Sequence, residues 1–137
     1  MNTQFHLKTC LSELDTLCAG ISALKERLCC SDKKILELGL IVEELCANVI
    51  MHGGTQGASE IEVKLEKDED DLILTVSDDG PPFDPTRSPV VDIQKPLSQR
   101  CPGGLGIHLI QHYTDSLEYR RENDKNIVSI RKRLGDG

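Results

Sequence analysis

The sequence predicts an α+β fold, a two-layer sandwich in which a mostly antiparallel sheet carries its helices on one face. Three observations lead there. Apolar residues recur at steps of three and four through residues 12–52, then change to strict alternation through 61–76, the mark of helices giving way to strands. The alternating runs are joined by short polar turns, which makes hairpins and therefore antiparallel pairing. A glycine-rich stretch at 103–106 opens one further helix. The resulting order βααββαββ gathers helices over one face of one sheet.

The elements follow in turn. Phe5, Leu7 and Thr9 alternate and predict a first strand over 3–9. Leu14, Leu17, Ile21, Leu24 and Leu28 predict an amphipathic helix from Ser12 to Cys29, with Ser12 as its N-cap. A second helix is predicted from Asp32 to His52, with a core stripe of Leu38, Val42, Leu45 and Val49, ended by Gly53-Gly54. Ile61, Val63 and Leu65, then Leu72, Leu74 and Val76, form a hairpin whose turn is the acidic run Lys67–Asp71. The prolines all fall between 81 and 102, where no apolar period exists; a loop this long in a compact chain reads as a lid. A helix over 104–113 and two strands, 115–122 and 126–134, joined by Asn123-Asp124-Lys125, complete the chain. No repeat or linker interrupts it, so residues 1–137 are expected to form a single domain.

Composition narrows the function. The hydrophobic fraction of 38% and charged fraction of 28% are those of an ordinary globular chain. No apolar run reaches the roughly 18 residues of a membrane span, and the start MNTQFHLK lacks a signal-peptide core; a cytoplasmic location with no membrane partner is expected. A net charge of −7 argues against nucleic acid. The late cations Arg120, Arg121, Arg131, Lys132 and Arg133 read as a solvated strand face. Six cysteines without a Cys-x-x-Cys pair read neither as a disulfide framework nor as a zinc site, and Cys18 and Cys46 fall in apolar helical patterns.

Three motifs carry chemistry. Glu44 and Asn48 lie four apart on one helix face, continued by His52 and turned away from the core stripe; a carboxylate beside a carboxamide suits Mg²⁺, which takes few protein ligands. Taken alone, the same pair is an ordinary exposed helix face. Asp78-Asp79-Gly80-Pro81-Pro82-Phe83-Asp84-Pro85 follows directly on a strand. Its first carboxylate can accept from an exocyclic amine, and Gly80 lets a flat ring approach the backbone; a plain turn is the competing reading. Gly103-Gly104-Leu105-Gly106-Ile107 leads into a helix, where free N–H groups and the helix dipole can hold phosphate. The alternative there is a lid hinge. No Gly-Lys-Ser/Thr follows, which excludes a Walker loop.

Together, EELCANVIMHGG, DDGPPFDP and GGLGIHLI resemble, in order and spacing, the ATP-binding boxes of the superfamily of DNA gyrase B, the heat-shock-ninety chaperones, MutL and sensor histidine kinases. The compact length and the Phe-Asp-Pro after Asp78-x-Gly80 make the chain similar to anti-sigma-factor serine kinases of the sporulation and general-stress type, over nearly all its length. The resemblance implies a Bergerat-type ATP-binding fold, ATP and Mg²⁺ as cofactors, and a homodimer. Its implied partners are a STAS-type anti-sigma-antagonist protein and a sigma factor.

Residue by residue, the resemblance implies that Asn48 ligates Mg²⁺ and that Glu44 is the general base for the attacking hydroxyl. Asp78 would bond the adenine amine, Gly80 would let the ring lie flat, and Gly104 and Gly106 would offer N–H groups to phosphate. Residues 86–102 would be the lid, with Arg87, Lys95 or Arg100 reaching the terminal phosphate. Pro82 departs from the second glycine common in the superfamily. Lys125-Asn126 stands where sporulation-type relatives have Gly-Thr, which gives Asn126 the adenine-side hydrogen bond. His6, His52, His108 and His112 have no dimerisation-helix context, against a histidine-kinase fragment. Two functions fit: a protein serine/threonine kinase, or an ATP-dependent partner switch without significant transfer. Retention of Glu44 favours the kinase.

Overall fold

The structure, a computed structural model, describes residues 2–53, 60–84 and 110–135. Strand β1 (Asn2–Lys8) is followed by helices α1 (Glu13–Ser22), α2 (Lys25–Leu28) and α3 (Asp32–Asn48), the last running into a π-helical turn at Val49–Gly53. Strands β2 (Glu60–Asp68), β3 (Asp71–Asp78), β4 (Ser116–Glu122) and β5 (Lys125–Arg133) complete it. They form one five-stranded sheet in the order β1-β2-β3-β5-β4, and every neighbouring pair is antiparallel. The expected α+β fold is what the chain adopts.

Alternation decides which residues enter the core. Ile61, Val63 and Leu65 of β2, Leu72, Leu74 and Val76 of β3, and Val128 and Ile130 of β5 are all buried on one face. Leu38, Ile41, Val42 and Leu45 of α3 and Leu17 and Ile21 of α1 join them in one cluster. Burying each such side chain stabilises by about 1.5–3 kcal/mol. Helix α1 approaches β1 at Gly20, where an added Cβ would stand 2.7 Å from the Phe5 ring. Both tight hairpins turn through left-handed residues, Glu69 in the first and Asn123 and Asp124 in the second, which matches the twist of the flanking strands.

Four expectations need correction. The helix foreseen from Ser12 to Cys29 is two, broken at Ala23–Leu24 and closed by a left-handed Cys29. Its apolar period is 3.5 residues, which drifts around a straight helix; the break resets the phase, so Leu24 and Leu28 also reach the core. Ser12 does not cap α1 with its side chain; it meets Cys10 Sγ at 3.0 Å instead. The side chain that caps is Ser31 of α3, which accepts from Lys34 N at 3.2 Å. The acidic turn shrinks to residues 69 and 70, because Asp68 already pairs with Asp71.

The last correction concerns Lys132, which is not on a solvated face. It shares the parity of Val128 and Ile130 and is 3% exposed. Its ammonium donates to Glu37 Oε1 at 3.1 Å and to the Tyr113 carbonyl at 2.8 Å, and lies 5.7 Å from the Tyr113 ring centroid. Glu37 on α3 is buried with it, so the pair ties α3 to β5 and to the end of the helical segment 110–113. Removing one partner strands a buried charge. Lys132→Met should cost about 3–5 kcal/mol in urea unfolding, and a Glu37→Leu/Lys132→Met double variant should regain much of it. A single variant as stable as the wild type would refute that weight.

Candidate functional site

The sheet register assembles the site. Leu7, Ile61, Asp78, Asn126 and Arg121 form one row across all five strands. The next row is Phe5, Val63, Val76, Val128 and Tyr119. Between Lys132 at one end and this row at the other, the core-facing residues of β3 and β5 are apolar, and in this row Asp78 and Asn126 take buried positions, 7% and 3% exposed.

Helix α3 closes over that end. Asn48 is buried at 5% exposure and lines a cavity with Leu45, Val49, Val76, Asp78, Phe83, Asn126 and Val128. The polar face of α3 was expected to turn away from the core; instead Asn48 flanks the buried stripe and faces the sheet's polar row. Glu44, one turn earlier, is half-buried and is not among the residues lining this cavity. The cavity measures about 20 Å³, room for about one water. A π-helical turn supplies Val49 at its wall, a distortion often found beside functional sites.

Asp78 is held on one side. Its Oδ2 accepts from Gly80 N at 2.9 Å and from Asn126 Nδ2 at 3.1 Å. Asn126 also donates to the Pro81 carbonyl at 2.7 Å, and its own Oδ1 accepts from Phe83 N at 3.1 Å and Tyr119 OH at 2.6 Å. Arg121 donates to the Gly80 carbonyl at 2.6 Å. The expectation that Asn126 bonds the base therefore meets a side chain whose donors and acceptors are already engaged by the protein. Gly80 is buried beside Asp78, while Gly104 and Gly106, with the segment 86–102, lie outside the described residues. So does the side chain of His52.

Burial pushes the Asp78 carboxyl above its ordinary range, opposed by the bonds from Asn126 and Gly80. Asp79 adds to the rise and Arg121 counters it. Burial also raises Glu44, with Glu43 adding to the rise. Among the described residues no three His, Cys, Asp or Glu side chains gather where they could hold a metal ion. Sequence reasoning missed Tyr119, Arg121 and the apolar walls; strand alternation marked Tyr119, Val76 and Val128 as inward-facing.

The Glu44 shift has a consequence for stability. A carboxyl raised in the folded state contributes stability that is full below its unfolded pKa and is lost as pH rises through its folded one. Glu44→Gln cannot ionise and escapes that loss. Its Tm relative to the wild type should therefore increase between about pH 4 and pH 7. Melts with a constant difference across that range would contradict the buried-carboxylate account.

Comparison with known proteins agrees with this architecture. The model of the histidine kinase-like ATPase domain matches residues 8–132. The serine/threonine-protein kinase BtrW of Bordetella bronchiseptica is 28% identical over 94 residues, covering 68% of this chain and 66% of that protein. The serine-protein kinase RsbW of Bacillus cereus is 29% identical over 98 residues, covering 69% of this chain and 61% of that protein. The match thus spans less than two thirds of either relative's length. A solved structure of RsbU and RsbW domains from Mycobacterium tuberculosis superposes with a TM-score of 0.68 at 11% identity, over 98% of this chain and 32% of that one. A histidine kinase domain from Erythrobacter litoralis gives 0.52 at 19% identity, over 93% of this chain and 62% of that one. No described helix is long and apolar enough to cross a membrane. With the family model matched over most of its length, this chain belongs to the histidine kinase-like ATPase domain family.

Proposed function

We propose that this chain binds Mg-ATP and transfers the γ-phosphoryl group to a serine or threonine hydroxyl on a small STAS-type anti-sigma-antagonist protein. While the antagonist is phosphorylated, the chain would hold a sigma factor inactive. The observation carrying the nucleotide reading is the buried Asp78 carboxylate in the wall of a cavity that it shares with Asn48, Asn126 and five apolar side chains. A mainly apolar slot with a carboxylate acceptor in its wall suits a flat base bearing an amine. The kinase names of the matched relatives support the transfer step.

Each residue then has a separable role. Asp78 accepts from the base, and Gly80, tied to Asp78 Oδ2, keeps the backbone thin beneath it. Asn48 would hold the Mg²⁺ that accompanies the phosphates and offsets their charge during transfer. Glu44, one helical turn away and half-buried, accepts the proton of the attacking hydroxyl. Its raised pKa places it nearer neutrality, where a general base works best. Gly104 and Gly106 offer backbone N–H groups to the phosphates.

The roles predict different losses. Asp78→Asn should retain the fold, because the new amide oxygen can still accept from Gly80 and Asn126. Its amide nitrogen would face the amine of the base, lowering ADP affinity about tenfold or more in calorimetric titration. Asn48→Ala should weaken Mg-ATP more than metal-free nucleotide. Glu44→Gln should reduce phosphoryl transfer by about 10²–10⁴-fold with ATP affinity nearly unchanged. Wild-type transfer rates in that variant would end the general-base role and leave an ATP-dependent partner switch. Unchanged ADP affinity in Asp78→Asn would remove Asp78 from the site.

A further inference from the structure

Among the described residues, Asn126 is the side chain most completely consumed by its neighbours. A carboxamide has two donor hydrogens and two acceptor lone pairs, and four protein groups take them. The assignment of its two ends follows from partners that can act in one way only. Phe83 N–H can only donate, so it must face Oδ1 at 3.1 Å. The Pro81 carbonyl can only accept, so it must face Nδ2 at 2.7 Å. The Tyr119 hydroxyl, 2.6 Å from Oδ1, is then the donor. The second amide hydrogen is left to point at Asp78 Oδ2, 3.1 Å away.

The effect on Asp78 is specific. Oδ2 takes two donors, Asn126 Nδ2 and Gly80 N, and Oδ1 takes part in neither bond. Tilting the carboxylate out of its present plane would weaken both. We propose that Tyr119 and Asn126 form a positioning relay that fixes the Asp78 carboxylate for the exocyclic amine of a purine, so that Asn126 sets base selectivity through Asp78. This deepens the nucleotide reading above and rests on it. The relay is a consequence of register: Asn126 stands opposite Asp78 on β3, and Tyr119 lies opposite Val128, one inward position along β5 from Asn126. It also latches the Pro81–Phe83 turn that closes the cavity, so base selection and access to the slot share one side chain.

The test compares two ligands that differ only at the base's sixth position. ADP carries the amine, and purine riboside 5′-diphosphate carries hydrogen there. Calorimetric titration of the full chain with each gives a preference ratio that general damage to the pocket does not change, because it weakens both ligands alike. The wild type should prefer ADP by about tenfold or more, the worth of one hydrogen bond to a charged acceptor. Asn126→Ala should reduce that preference to within about threefold of unity. Tyr119→Phe, which removes a single hydroxyl from a half-buried residue of an edge strand, should fall between the two and keeps the test decisive if Asn126→Ala does not fold. Both variants retaining the wild-type ratio would overturn the relay while leaving the adenine site standing. A wild type with no preference would overturn the adenine reading itself, and the relay with it.

Discussion

Everything at the candidate site depends on how α3 is seated on the sheet. Leu38, Ile41, Val42, Leu45 and Cys46 are all at most 3% exposed, and together they fix the rotation of the helix about its own axis. Each residue turns the helix by about 100°. A shift of one position would take Asn48 out of the cavity it shares with Asp78. Polar side chains could not set this orientation alone, because single hydrogen bonds are worth about 1 kcal/mol net and a buried leucine more. The Glu37–Lys132 pair pins the same helix nearer its start, so α3 is held at both ends.

The sheet supplies a second constraint of the same kind. Leu72, Leu74 and Val76 point inward, and the strand carries the same parity to Asp78; Ile130 and Val128 carry it to Asn126. A one-residue slip in register would send both polar groups to the open face. The row they occupy lowers stability by the desolvation of a carboxylate, visible in the upward push on Asp78. It is tolerated because the neighbouring amide is fully satisfied. A half-bonded Asn126 would be worse than an apolar residue there.

Much of this was legible in the sequence, and the rest was illegible for definite reasons. The change from helical to alternating period marked β2, β3 and α3, because local patterning and burial agree there. The spacing of Glu44, Asn48 and Asp78 singled out their neighbourhood, and the structure brings Asn48 and Asp78 together. The split of the first helix was hidden because a 3.5-residue stripe looks continuous until it must cover a real surface. Lys132 was misread although its parity with Val128 and Ile130 was on the page, since its partner Glu37 lies 95 residues away. Asn126 was noticed for its place in the last strand, but its bonds to Asp78, Pro81, Phe83 and Tyr119 were not foreseen. What a buried amide bonds to depends on which strands lie beside it, and β5 pairs with β3 across a long stretch of intervening chain.

The polar row also orders its charges in a useful way. Asp78, Asn126 and Arg121 stand side by side on β3, β5 and β4. Had a cation stood directly against Asp78, it would have taken the carboxylate's lone pairs and held it as a closed ion pair. The neutral amide separates the two. Arg121 spends its short bond on the Gly80 carbonyl, while its charge still lowers the Asp78 pKa from a distance. Asp78 therefore stays easier to ionise than burial alone would allow, with Oδ1 outside both of the bonds that hold it. The neutral residue between acid and base thus holds the carboxylate by Oδ2 alone and, with Gly80 and Arg121, opposes the upward push of burial.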